Sequence, residues 1–153
     1  MASSFITKDG VHGFWVNDSL LQVVCWGIVK VLDNLPDIKN NYWIKNDFRN
    51  HIYNCSQGIF IGFIDLHLDE FITNEVRKEM MNSIIDEVNK DFLMKGEFIS
   101  IKELNNFQLI KETRREWITP LPTERILKVI FYLKNLINGK IKTKEDDDIE
   151  YDF

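Results

Sequence analysis

The sequence predicts an all-α fold, a single-domain irregular helical bundle with a central apolar helix and a polar C-terminal tail. Three observations carry this prediction. Capping residues precede a long apolar run at residues 20–32, apolar residues recur at every fourth position between 76 and 92, and a proline or glycine follows most of the apolar stretches. At 153 residues and 44% hydrophobic composition, the chain is long enough to bury one core of ordinary domain size.

The first helix is predicted to begin near residue 18. Asn17, Asp18 and Ser19 are capping residue types, because their short side chains accept hydrogen bonds from the amides of a first helical turn. Residues 20–32 then leave no wide polar face, and Pro36 ends the helix. A helix that is apolar nearly all round is buried on most sides, so we expect it at the centre of the bundle.

Residues 41–55 predict a shorter amphipathic helix that ends before Gly58. The next segment, residues 59–68 (IFIGFIDLHL), is ambiguous. Its apolar density fits a buried helix, whereas the alternation of Ile64, Leu66 and Leu68 with polar residues fits a strand. Because no convincing partner strand is evident and isolated strands are marginal, we predict a helix and keep an extended conformation as the alternative.

The clearest helix lies beyond Thr73, where apolar residues recur every fourth position and Gly96 follows as a stop. The recurring residues are Val76, Met80, Ile84, Val88 and Phe92. Ser100 and Glu103 then have the spacing of a capping box, which predicts a short helix to about Phe107.

Residues 111–122 contain two prolines and predict an extended connector. Thr123 is predicted to cap a last helix that Gly139 ends. The expected apolar side of this helix consists of Ile126, Leu127, Ile130, Phe131 and Ile137.

The acidity of the chain is concentrated at its C-terminal end. Residues 140–153 hold three lysines against six carboxylates, a net charge of −3, while the whole chain carries −5. Blocks of like charge resist packing, so we divide the chain into a helical domain at 1–139 and a flexible acidic tail at 140–153. Such a tail is either a solubilising segment or a recognition element for a basic cleft.

Composition excludes several classes of protein. The net charge of −5 argues against a general nucleic-acid binder, whose phosphate contacts require clustered Lys and Arg, and favours a basic protein as partner. Cys25 and Cys55 lie in apolar segments, which is typical of buried thiols in a reducing compartment. With no secretory signal and no apolar run long enough for a bilayer, we expect a cytoplasmic protein without membrane contact.

Asp65, His67 and Asp69 are the nearest approach to a chemical site. An extended backbone would place all three on one face, where they could bind a metal or exchange protons; a polar edge on a buried element is the competing interpretation. His51 and Cys55 have the i, i+4 spacing of two zinc ligands, but no further pair completes a site. We therefore predict no catalytic residue, no metal and no cofactor.

Trp117 follows Arg114, Arg115 and Glu116 in the connector. An aromatic residue beside arginines is typical of interface hot spots, and a surface clasp across the bundle is the alternative. The candidate partner-binding residues are this tryptophan and the exposed-looking carboxylates: Asp65, Asp69, Glu70, Trp117, Asp146, Asp147, Asp148 and Glu150.

In overall character the chain resembles the immunity proteins of bacterial contact-dependent growth inhibition and related polymorphic toxin systems. The resemblance rests on the helical domain, the Asn- and Ile-rich composition, the missing signal sequence, and acidic groups such as Asp65 and Asp69. It implies a cytoplasmic inhibitor that occludes the active site of a cognate toxin domain in a stoichiometric complex. Charge alone indicates a basic toxin, a nuclease, with no direct nucleic-acid contact by this chain, which we expect to be a monomer or weak homodimer.

Two other classes of function stay open. One is a small enzyme or ligand-binding helical domain with a site near Asp65, His67 and Asp69. The other is a structural or regulatory subunit that buries its first helix in an oligomer.

Overall fold

The computed structural model describes residues 2–36, 41–147 and 149. These residues are mainly helical, as predicted, but they also form two small antiparallel sheets. The purely all-α prediction is therefore wrong in its finer part. The helices pack around the first one, which contacts three other helices of the bundle.

Helix α1 spans Asp18–Asp33 and occupies the centre of the fold, as predicted. Asn17 caps it, since its side-chain oxygen accepts a hydrogen bond from the Ser19 amide at 2.9 Å. Thirteen of its sixteen residues are buried, so the helix has no solvent face of ordinary width. Any polar side chain on it must find a partner inside the protein.

A hairpin that the sequence analysis missed precedes α1. Strand β1 (Ser3–Thr7) pairs antiparallel with β2 (Gly13–Asn17). Asp9 organises the turn, because its carboxylate accepts hydrogen bonds from the Val11 and His12 amides and lies 2.7 Å from Nδ1 of His12. These bonds favour the ionised carboxylate and hold the pKa of Asp9 well below its usual value.

The predicted second helix is present with an irregular start. A π-helical turn covers Trp43–Phe48 and leads into α2, Arg49–Ser56. Its inner side is apolar and buried, at Ile44, Phe48, Ile52 and Cys55.

The helix predicted for residues 59–68 is wrong. The chain is irregular up to residue 67, and only then does a single turn of helix, α3 (Leu68–Phe71), begin. Ile64, Leu66 and Leu68 are buried while Asp65 is exposed, so the period-two alternation was the correct indication. No partner strand was needed, because the Ile64 amide donates to the side-chain oxygen of Ser4 at 2.9 Å.

Helix α4 (Glu75–Leu93) confirms the clearest prediction. Asn74 caps it by accepting a bond from the Arg77 amide at 2.9 Å, and Gly96 follows with φ of +83°. The buried side is displaced from the predicted stripe, because Val76 at the first turn is 70% exposed. The buried residues are Met81, Ile84, Ile85, Val88 and Phe92.

Half of the predicted capping box forms. The Ser100 hydroxyl accepts from the Glu103 amide at the start of α5 (Ile101–Leu104), but the Glu103 carboxylate binds Lys95 at 2.6 Å instead of turning back. The helix accordingly ends before the predicted Phe107. A second sheet pairs β3 (Phe98–Ile99) with β4 (Leu121–Pro122).

Helix α6 spans Thr123–Ile137, and Gly139 follows with φ of +69° as expected. The predicted Thr123 cap is wrong: Pro122 is the capping position, and the Thr123 hydroxyl is buried without a partner among the described residues. Phe131, predicted on the apolar side, is 63% exposed. The buried side consists of Ile126, Val129, Ile130, Leu133, Leu136 and Ile137.

Replacing Gly27 with alanine tests the crossing of α1 and α4. A Cβ atom there would lie 2.5 Å from Cε2 of Phe92, a ring that is only 1% exposed and cannot move aside. We expect Gly27→Ala to lower the free energy of unfolding by about 1–3 kcal/mol through overpacking, although alanine favours helix more than glycine does. Urea denaturation measures this, and Phe92→Leu in the same chain should relieve part of the loss; a more stable Gly27→Ala protein would contradict the close crossing.

Candidate functional site

Residues 59–63 form an exposed apolar loop, called here the apolar loop. Ile59, Ile61 and Phe63 are 42%, 61% and 70% exposed, whereas Phe60 between them is half-buried against the core. Large apolar side chains scattered singly over a surface are ordinary, but three within five residues form a patch of the kind that marks interaction sites. The prediction of a buried helix over residues 59–68 did not include this exposed patch.

Buried polar contacts hold the apolar loop in place. The Gly62 amide donates to Oδ2 of Asp18 at 2.6 Å, and the Ser4 hydroxyl donates to Oδ1 of the same carboxylate at 2.7 Å. Asp18 is 4% exposed, so the bonds are shielded from water. Gly58 directly precedes the loop and Gly62 lies within it, with φ of +81° and +82°, a conformation that glycine adopts without strain.

Gly58 also lies where no other residue fits. A Cβ there would lie 2.5 Å from the carbonyl oxygen of Thr113. The Thr113 hydroxyl in turn donates to the Gln57 carbonyl at 2.7 Å. The start of the apolar loop therefore packs closely against Thr113 of the connector.

Carboxylates border the apolar loop on its C-terminal side. Asp65, Asp69 and Glu70 are exposed, and two of them meet His67. Nδ1 of His67 lies 3.2 Å from Oε2 of Glu70, and Nε2 lies 3.8 Å from Oδ2 of Asp65. We call Asp65, Asp69 and Glu70 the acidic rim.

Asp69 does not join His67 as the extended backbone would have required. His67 adopts the left-handed conformation, with φ of 53°, and the chain turns there into α3. The turn breaks the period-two alternation, so that Glu70 takes the position that an extended backbone would have given to Asp69. The side chains that meet are therefore those of Asp65, His67 and Glu70, and not the set of Asp65, His67 and Asp69 considered as the extended alternative.

His51 connects the acidic rim to the core. Its Nε2 donates to the carbonyl oxygen of Asp65 at 2.6 Å, and its ring centroid lies 4.2 Å from that of His67, with the two rings tilted by 34°. Phe60 and Phe71 each lie 6.3 Å from the His51 ring on centroids. An aromatic layer therefore supports the apolar loop and the rim together.

Burial disfavours ionisation of the two cysteine thiols. Burial, reinforced by the nearby Asp65 carboxylate, raises the pKa of Cys55 to about 12, and burial raises that of Cys25 well above its usual value. A thiol must ionise to act as nucleophile or metal ligand. Within residues 2–36, 41–147 and 149, no group of three or more His, Cys, Asp or Glu side chains could hold a metal ion.

Trp117 lies on the connector that follows α5. The Asn105 side chain binds the backbone of Trp117: it donates to the Trp117 carbonyl at 2.9 Å and accepts from the Trp117 amide at 2.7 Å. The Arg115 guanidinium lies 5.1 Å from the centroid of the half-buried indole. These contacts place the predicted aromatic and arginine cluster in one position on the surface.

The first part of the acidic tail packs on the hairpin. Ile141 is 9% exposed, the Gly13 amide donates to the Thr143 carbonyl at 2.8 Å, and Nε1 of Trp15 donates to the Glu145 carbonyl at 3.1 Å. Asp146 and Asp147 are exposed beyond these contacts. Asp148 and Glu150 lie outside the described residues.

The structure thus distributes the predicted partner-binding residues over three places. Asp65, Asp69 and Glu70 border the apolar loop, Trp117 lies on the connector, and Asp146 and Asp147 follow the hairpin contacts. Among the described residues, three cavities lie on other parts of the surface, and none of these three is lined by Asp65, His67 or Asp69.

Comparisons with known proteins add no relative from which a role could be transferred. No family model, curated protein or solved structure matches the chain. Among the residues that the structure describes, no helix combines the length and apolarity needed to cross a membrane.

Asp18→Ala tests whether the buried carboxylate fixes the apolar loop. The change leaves the Ser4 hydroxyl and the Gly62 amide without their acceptor, so we expect about 2–4 kcal/mol lower unfolding free energy and faster hydrogen exchange at Gly62. Asp91→Ala, which removes an exposed carboxylate, should change stability by less than about 0.5 kcal/mol. Equal effects of the two variants would contradict the anchoring role.

Two isoleucines of the C-terminal segment test whether its first part is integral to the fold. Ile141 is 9% exposed and Ile149 is 50% exposed. We expect Ile141→Ala to cost about 2 kcal/mol in denaturant titrations, whereas Ile149→Ala should cost less than about 0.5 kcal/mol. If Ile141→Ala leaves stability unchanged, the contacts on the hairpin do not contribute to folding.

Proposed function

We propose that this protein is an immunity protein that binds and neutralises a basic toxin domain through the apolar loop and the acidic rim. The observation that carries the proposal is a locally fixed loop that presents three large apolar side chains to solvent beside a row of carboxylates. The proposal names a cognate toxin, in particular a nuclease, as the partner.

The apolar loop has the character of an interface anchor. Ile59, Ile61 and Phe63 are exposed, although burying them would be favourable by about 25 cal/mol for each Å² removed from water. Anchors of this kind fill pockets at the centre of an interface and carry most of its affinity. Because the hydrogen bond from Gly62 to Asp18 and the close approach of Gly58 to the Thr113 carbonyl already hold the loop, little conformational entropy remains to be lost on binding.

The acidic rim indicates the charge of the partner. Asp65 and Glu70 each have side chains 65% exposed, and both can reach cations on an approaching surface. A nuclease needs Lys and Arg to hold the phosphates of its substrate, so its active-site entrance offers the complementary charge. Carboxylates in that entrance would exclude nucleic acid by occupying the same cations.

Inhibition by occlusion needs no reactive group in the inhibitor. The elevated thiol pKa values of Cys25 and Cys55 agree with such a role, since neither side chain is suited to covalent chemistry at neutral pH. Trp117 and the exposed Asp146 and Asp147 stay predicted additional contacts. The alternative, a ligand or catalytic site near Asp65, His67 and Asp69, stays a hypothesis in which Glu70 takes the place of Asp69.

The test uses, as candidate toxins, the C-terminal domains of any large secreted protein encoded by a neighbouring gene, immobilised for surface plasmon resonance. We expect Ile61→Ser with Phe63→Ser to weaken binding by at least about 100-fold, mainly through faster dissociation. Val76→Ser with Met94→Ser is the matched control, because Val76 in the first turn of α4 and Met94 directly after its last residue are 70% and 81% exposed, and it should bind like the unmodified protein.

Charge variants separate the two parts of the same interface. Asp65→Lys with Glu70→Lys should slow association by about tenfold or more at low salt and reduce its salt dependence. Unchanged affinity of the Ile61 and Phe63 variant would show that the apolar loop is not the contact. No binding of any toxin domain by the unmodified protein would overturn the immunity function itself.

A further inference from the structure

A basic cavity lies on the connector, apart from the apolar loop and its acidic rim. It has a volume of about 350 Å³ and is lined by Asn105, Lys111, Arg114, Arg115 and Glu116. Three cations therefore face one carboxylate in the lining, a local charge of +2 in a chain that carries −5 overall. This concentration of positive charge is not needed for the proposed contact with a basic toxin.

Buried amide side chains fix the backbone that carries these cations. Gln108, 3% exposed, accepts from the Arg115 amide at 2.5 Å and donates to Oε1 of Gln22 in the central helix at 2.9 Å. Gln57, 1% exposed, accepts at its backbone carbonyl from the Thr113 hydroxyl at 2.7 Å. The connector is thus anchored at Thr113, directly before the two arginines, and at the backbone amide of Arg115.

The cations themselves are left available. Within the described residues, no carboxylate lies in ion-pair distance of Lys111, Arg114 or Arg115, in contrast to Arg49, which pairs with Asp33 at 2.9 Å. Arg115 lies over the Trp117 ring, which limits the orientations of its guanidinium. A fixed backbone that displays unpaired cations around a cavity is suited to hold an anion.

We propose that this cavity binds a small phosphate-bearing molecule through Arg114, Arg115 and Lys111. Adjacent guanidinium groups can each donate two hydrogen bonds to phosphate oxygens, and the ammonium adds a point charge. A phosphate monoester carries about −1.5 to −2 at pH 7, which matches the local +2. The volume lies at the lower end of the range of about 300–1,000 Å³ that small-molecule sites occupy.

The overall charge of the chain favours a small ligand over nucleic acid. A long polyanion approaching the connector would also meet the repulsion of a protein with net charge −5. A single phosphate inside the cavity is close to the three cations and is screened by salt from the more distant carboxylates. Glu116, the carboxylate in the lining, can accept a hydrogen bond from a hydroxyl of the same ligand.

The experiment titrates the full chain with inorganic phosphate, pyrophosphate and adenosine monophosphate at constant ionic strength, and follows backbone amide shifts by NMR. We expect saturable shifts confined to residues 105–117. Arg114→Gln with Arg115→Gln should weaken binding by at least about tenfold, as expected for lost charge-assisted bonds. Arg125→Gln with Lys90→Gln removes the same charge from exposed positions on other elements and should leave affinity within about twofold.

Three results would overturn the proposal. These are no saturable shift at millimolar phosphate, equal weakening in the two double variants, or tighter binding of a single-stranded oligonucleotide than of the three small anions. Melting temperatures confirm that both variants fold. Because no toxin enters the experiment, its outcome is independent of the immunity function.

Discussion

Nearly complete burial of α1 is the constraint on which the rest of the structure depends. A helix without a solvent face must be surrounded, and the hairpin, α2, α4 and α6 all contact it. Asp18 and Gln22 are nevertheless polar, and they are only 4% and 6% exposed. Burying a carboxylate or an amide is costly unless its hydrogen bonds are satisfied. The chain meets this requirement with partners from other elements: Gly62 of the apolar loop and Ser4 of β1 bind Asp18, and Gln108 binds Gln22.

The hydrogen bonds of Asp18 and Gln22 also determine which surface segments are fixed in position. The apolar loop is anchored to the N-terminal turn of α1 through Asp18, and the connector one turn further along through Gln22. Thr113 joins the two segments, since its hydroxyl donates to Gln57 and its carbonyl lies against Gly58. Segments of this length without regular structure would ordinarily be the most mobile part of a fold. Here the buried polar contacts hold their exposed side chains in defined positions, as recognition requires.

Sequence patterns predicted those features of the fold that depend on interactions between residues close together in the chain. The Asn17 cap, the stops at Gly96 and Gly139, and the apolar periodicity of α4 each involve residues within a few positions of one another. Residues 59–67 could not be predicted this way, because the partner of the Ile64 amide is a serine 60 positions earlier. The hairpin was not predicted either, because β1 and β2 have only five residues each and the polar residue Ser4 of β1 is buried. Of the candidate site, the carboxylates were predicted and the exposure of Ile59, Ile61 and Phe63 was not.

The acidic rim lies beside the apolar loop, and the two would contribute differently to the proposed inhibition. Carboxylates act over about a Debye length and mainly accelerate encounter, whereas apolar side chains act only in contact and mainly slow dissociation. A flexible acidic tail alone would accelerate encounter but would do little to slow dissociation. Asp65 and Glu70 lie on the chain directly beyond the apolar loop, and His51 with His67 joins them to the aromatic layer that supports it. In the proposed complex, the carboxylates that accelerate association and the apolar side chains that slow dissociation would then lie on one surface. The orientation that the charges favour during encounter would therefore also bring Phe63 into contact with the partner.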